Sequence, residues 1–232
     1  MKFSLLCPSR QRPYHIGRLY KNLTETIGQV KEVELLLKVD DDDRFPHIEG
    51  SWIRVFRGAR SEFLQRDYYN FLAEKAYGNY LWAIGDDIVF QTKNWDKHLE
   101  KKIEDLLKNI PDRIAYIYVD ETDSQAKHPC FPLITKEAFK ALGMYFHPEL
   151  MSWGADRTLF EVYSGINRVF HVPGVAIKHL SYHDGSGVYD DTAKNMKERF
   201  FRNPDCHNEV SRDVVPKQID YLKKVINEST NR

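Results

Sequence analysis

The sequence predicts an α/β domain with a mostly parallel sheet flanked by helices. Short apolar runs alternate with stretches whose apolar residues recur at helical spacing, the pattern of strand–helix–strand units. The run "VELLLKVD" is apolar almost throughout, as a buried strand requires. Two of the apolar runs also end on aspartates, where open α/β sheets gather their ligands.

Taken in order, "KFSLLCP" reads as a strand ending at Pro8. A helix follows with Pro13 in its first turn and Ile16, Leu19 and Leu23 on one face. "VELLLKVD" and "SWIRVFR" are the next strands. "SEFLQRDYYNFLAEKAYG" places Leu64, Tyr68, Phe71, Leu72 and Ala76 along one helical face, with Gly78 as its expected stop. "NYLWAIG" is a strand, and "WDKHLEKKIEDLLKNI" is the clearest amphipathic helix. The second half is less regular. It offers a strand in "RIAYIYVD", short helices in "TKEAFKALG" and "DRTLFEVYSG", and two strand pieces around Pro173-Gly174. From about Asp213 a helix bears Ile219, Leu222, Val225 and Ile226. No repeat or linker composition breaks the 232 residues, which predicts a single domain over 1–232 with halves 1–110 and 111–232.

Charge is balanced, with 34 basic and 34 acidic residues, so a general nucleic-acid binder is not expected. Three cysteines, Cys7, Cys130 and Cys206, show no metal-type spacing and read as reduced thiols. The first residues lack the apolar run of a signal peptide, and no stretch approaches a membrane-spanning length. A cytoplasmic location is the expectation.

The two acidic clusters differ. Asp40 to Asp43 sit beside Arg44 and read equally as a solvated turn or a site. Asp86 and Asp87 are wedged between Trp82-Ala83-Ile84 and Ile88-Val89-Phe90. Neighbouring carboxylates that lose hydration need a cation, and oxygen-rich sites of this kind take Mg²⁺ or Mn²⁺ with phosphate oxygens completing the shell.

"CPSRQRP", "VDDDD" and "YGNYLWAIGDDIVFQTKNWD" resemble the nucleotide-binding half of GT-A fold glycosyltransferases of the family-2 type, which have a Rossmann-like sheet. "FPLITKEAFKALGMYFHPELMSWGADRTLFEVYSG" and "VAIKHLSYHDGSGVYDD" resemble the acceptor-side half, so the likeness runs from about Phe3 to Asp191 and leaves the C-terminal helix outside. The resemblance implies a metal held by the acidic pair after a strand, carrying the diphosphate of a nucleotide sugar, with a UDP-sugar as the expected donor. A strict DxD would begin at Gly85, so the motif is a bare Asp86-Asp87 pair, and which carboxylate binds the metal stays open. By the same resemblance Asp40 lies near the nucleotide base, and Arg60 and Asn70 approach the donor.

Pro8, Ser9 and Arg10 leave the first strand where a nucleotide would lie, with Arg10 or Arg12 available to a phosphate. Asp156, in "SWGADRTLF", is either a carboxylate favoured at a helix start or a general base for an acceptor hydroxyl. The resemblance implies the base, and inversion with it. Trp153 beside it stacks on an acceptor glycan or packs in the core. His179 and His183 follow a strand, and the resemblance implies that one of them, His179 in the nearer position, joins the metal. The "HDGSGVYDD" segment has the glycines of a closing loop. Two other readings stand beside this one. A nucleotidyltransferase also needs carboxylates and Mg²⁺, but "CPSRQRP" has no glycine for a triphosphate loop. A non-catalytic nucleotide-sugar or carbohydrate-binding domain could share the fold.

Overall fold

Strand β1, Phe3–Pro8, is sealed on both faces along residues 3 to 7. Helix α1, Pro13–Thr26, follows with Pro13 at its start, where a missing N–H costs nothing, and it buries Ile16, Leu19 and Leu23. β2, Val33–Asp40, is buried at every position, and β3, Ile53–Gly58, is its more exposed neighbour. The computed structural model describes residues 1–44, 48, 50–121, 128–150, 154–182, 185–202 and 205–230.

The long helix expected before the acidic pair is shorter and irregular. A π-helical turn, Gln65–Asn70, passes into helix α2, Phe71–Lys75, which ends at Ala76 in extended backbone. Gly78 therefore does not cap it. A Cβ there would stand 2.8 Å from the Ser4 nitrogen and 2.9 Å from the Lys2 carbonyl oxygen, so this glycine lets the chain pass close under β1. Strands β4, Tyr80–Ala83, and β5, Ile88–Phe90, then flank the acidic pair. Helix α3, Trp95–Leu107, buries the predicted stripe of Leu99 and Ile103.

In the second half come β6, Tyr116–Glu121, β7, Leu133–Thr135, and α4, Lys136–Leu142, which Thr135 caps through its side chain and Gly143 closes at φ 70°. Helix α5, Ala155–Gly165, leads into β8, Val169–His179. β8 is one continuous strand rather than two pieces. Gly174, at φ 82°, takes up the irregularity and donates its N–H to Asp120. Helices α6, Asp191–Arg202, α7, Cys206–Asp213, and α8, Val215–Thr230, complete the chain.

One sheet takes strands from both halves, in the order β3-β2-β1-β4-β7-β6-β8-β5. β3, β2, β1 and β4 are parallel, and β6 and β8 are parallel to each other. β7 runs antiparallel to both β4 and β6, and β5 antiparallel to β8. Two reversals restore direction, so β8 points the same way as β1, β2 and β4. All four end on one edge. Successive residues of β1 face opposite layers: Leu5 joins the core under α1 and α3, Leu6 the core under α2, α4, α5 and α8.

Candidate active site

The C-terminal ends of β1, β4 and β8 meet at a cavity of about 510 Å³. β1 delivers Pro8, Ser9, Arg10 and Arg12 to it, the turn after β4 delivers Asp86 and Asp87, and β8 ends on His179. Pairing of Ile88 with His179 across β5 and β8 fixes the histidine beside the acidic pair.

The two aspartates have different surroundings. Asp86 is buried and both its side-chain oxygens have donors: Ser9 Oγ at 2.5 Å on one, an Arg12 guanidinium nitrogen at 2.9 Å on the other. Asp87 keeps 25% of its side-chain exposure and faces His179, with Oδ2 and Nε2 3.6 Å apart. Arg12 stands 3.6 Å from the same Oδ2. Burial works against the charge on Asp87, but His179 and Arg12 outweigh it and hold the carboxyl below its ordinary range. Arg12 also makes a two-pronged bond to Asp190, at 2.7 and 2.8 Å.

A separation of 3.6 Å suits two ligands of one divalent ion, whose metal–ligand bonds are about 2.0–2.2 Å each. Among the described residues no cluster of three His, Cys, Asp or Glu forms a complete metal cage. The donor set therefore fits an ion that takes its remaining ligands from water and phosphate, as Mg²⁺ and Mn²⁺ do.

Asp40 is fully buried and does not line the cavity. Arg10 donates to one of its oxygens and Tyr68 to the other, and those two side chains form the wall in front of it. Burial and the bond to Asp40 push the Tyr68 hydroxyl up to about 12. Asp42, exposed, shares Arg10 through bonds of 3.1 and 3.2 Å. Asp43 is buried and accepts the Gln11 N–H at 3.1 Å, so the acidic run is partly internal. Arg60 lines the cavity with Arg199 of α6, whose pKa burial and the nearby Arg60 charge lower.

Asn70 is not brought to the cavity. Its side chain accepts the N–H groups of Tyr145 and Phe146 and donates to the Phe146 carbonyl, which anchors Phe146 in the wall. Asp156 does line the cavity, in the first turn of α5. Its Oδ2 lies 3.2 Å from His128 Nε2. Trp153 and His183 lie outside the described residues. The sequence reading missed Tyr68, His128, Asp190 and Arg199. Asp190 stands in the "HDGSGVYDD" segment but without a role read from it, and only the arrival of a distant strand or helix gives each of the four its place.

No family model matches this chain, and no curated protein matches it in sequence. Solved structures do. S. aureus TarS superposes with a TM-score of 0.60 at 13% identity, over 98% of this chain and 43% of that one. The fold is that of the GT-A type glycosyltransferases. Residues 1–349 of TarS in complex with UDP-GlcNAc give 0.60 at 11% identity, over 96% of this chain and 79% of that one. The mannosyltransferase PcManGT from Pyrobaculum calidifontis, in complex with GDP-Man and Mn²⁺, gives 0.58 at 11%, over 99% and 75%. This chain thus spans under half the length of full TarS while retaining its GT-A sheet. At such identities the likeness speaks for the fold alone.

Proposed function

We propose that this chain is a metal-dependent glycosyltransferase moving a sugar from a nucleotide-diphosphate sugar, with UDP as the expected nucleotide, to an acceptor hydroxyl with inversion. The observation that carries this reading is the convergence of Asp87, His179 and Asp156 on one cavity. The bound complexes of the fold relatives, with UDP-GlcNAc in one and GDP-Man and Mn²⁺ in another, are consistent with it.

Asp87 and His179 are the residues that would hold Mn²⁺ or Mg²⁺, with His183 the alternative to His179. When bound, the ion supplies positive charge against the leaving diphosphate. Asp86 acts through Ser9 and Arg12, fixing a guanidinium beside the diphosphate end. Arg10, Arg60, Pro8 and Ser9 line the nucleoside side, and Asp40 serves there by orienting Arg10 and Tyr68. Asp156 takes the proton of the acceptor hydroxyl as that oxygen attacks the anomeric carbon, and Trp153 is assigned to the acceptor.

The test is turnover of a panel of nucleotide sugars with Mn²⁺, with and without EDTA. Release of nucleoside diphosphate that EDTA abolishes is the expected result. Binding without turnover would instead make this a recognition domain, and pyrophosphate release from a nucleoside triphosphate would make it a nucleotidyltransferase.

A further inference from the structure

The segment from His128 to Phe131 is held from two sides. Glu121, at the end of β6, accepts the N–H groups of Cys130 at 2.8 Å and Phe131 at 3.1 Å. The Trp82 indole donates to the Phe131 carbonyl at 3.0 Å. This clamp presents His128 to the cavity beside Asp156. Both side chains are about four-fifths buried, at 22% and 23% exposure, so their contact at 3.2 Å is shielded from solvent competition.

We propose that His128 and Asp156 work as one dyad: the acceptor's proton reaches the carboxylate at Oδ2 and comes to rest on the facing His128 Nε2, which is bare at the start because the neutral ring carries its proton on Nδ1. This rests on the transferase reading above. The acceptor O–H bond breaks as its oxygen bonds the anomeric carbon. The bond from that carbon to the diphosphate breaks, and the diphosphate leaves with the electron pair. The proton enters the dyad, whose charge goes from −1, carboxylate with neutral imidazole, to zero, carboxylate with imidazolium.

The surroundings suit this end state. The bond from Asp156 raises the His128 pKa; burial and the Arg157 charge oppose it, and Glu121 assists. Arg157 is drawn away by Glu161, at 2.9 Å. From α7, His207 lies against Gly154, and burial depresses its pKa, which favours the uncharged form. Among the described residues, the charged and titratable groups around His128 are Asp156 and Arg157 from α5, Glu121 from β6, and His207 from α7.

A dyad that must begin with neutral imidazole gains activity as His128 deprotonates. In the wild type kcat/KM should rise with pH through a midpoint above about 6.5, the ordinary histidine value. In His128→Gln that limb should leave the histidine range, with kcat/KM at pH 8 reduced about 10²-fold. A limb that stays in place, or an unchanged rate at pH 8, overturns the dyad, because a packing role would not set the midpoint. NMR titration of the His128 ring provides an arm without turnover. Its pKa should fall in Asp156→Asn, and an unmoved titration overturns the pairing. A wild-type protein that transfers from no nucleotide sugar overturns the transferase reading and the dyad with it; a transferring enzyme with an unmoved limb overturns the dyad alone.

Discussion

Asp86 and Asp87 are neighbours with the same side chain, and their surroundings divide them. Asp86 is a buried anion whose two oxygens are occupied by Ser9 and Arg12, whereas Asp87 faces the cavity and His179. Removing one partner of a buried ion pair strands the other. Asp86→Ala should therefore cost about 3 kcal/mol in urea unfolding, at the low end of such losses because Asp190 still holds Arg12. Asp87→Ala should unfold near the wild-type midpoint but lose Mn²⁺ binding by calorimetry. Equal midpoints for the two variants would contradict this division of roles. From the sequence, a cation is the expected partner of the pair. It could not show that a protein guanidinium already answers one of the two carboxylates, because Arg12 arrives from the end of another strand.

At the scale of elements, α6 covers the cavity and is tied to it near its start. Asp190 holds Arg12, and Thr192 donates to the Arg10 carbonyl at 3.1 Å. Further along, Arg199 reaches the Glu62 carbonyl. Burial opposes the charge on Asp190, but the Arg12 bond and the Ala193 N–H outweigh it and hold its pKa below the ordinary carboxylate value. A group whose folded pKa is depressed contributes stability above its unfolded value, about 3.9, and loses it as pH falls through the folded one. The tie is thus intact at neutral pH. Asp190→Asn should speed amide exchange across 191–202 while leaving α5 protected, and weaken nucleotide binding several-fold. Unchanged exchange in α6 would show that the helix is held by packing alone. This helix was not foreseen, since its residues are mostly polar and only Ala193 and Arg199 are buried. β5 and β7 were missed for a different reason: three residues are too few to display a period.

For the molecule as a whole, the sheet links its two halves, and β1 lies near its middle. Leu5 is fully buried there, packed in the layer under α1 and α3. Leu5→Ala should cost about 2–5 kcal/mol, through lost transfer energy and the cavity left behind. That lowers Tm by about 2–4 °C per kcal/mol in a chain of this size. A shift smaller than that of an exposed control such as Tyr14→Ala would mean the strand is not part of the cooperative core.

By itself the sequence determined the α/β class, most helices and the buried strands, because hydrophobic period is a property of adjacent residues. Tertiary structure alone decided which distant groups meet. It put Asp40 behind Arg10 and Tyr68, turned Asn70 to the backbone at Tyr145 and Phe146, and set His179 against Asp87 through the pairing of β8 with β5. It also joined His128 to Asp156, 28 residues away, through a clamp from Glu121. Such contacts depend on strand order and reversal, which no local pattern encodes.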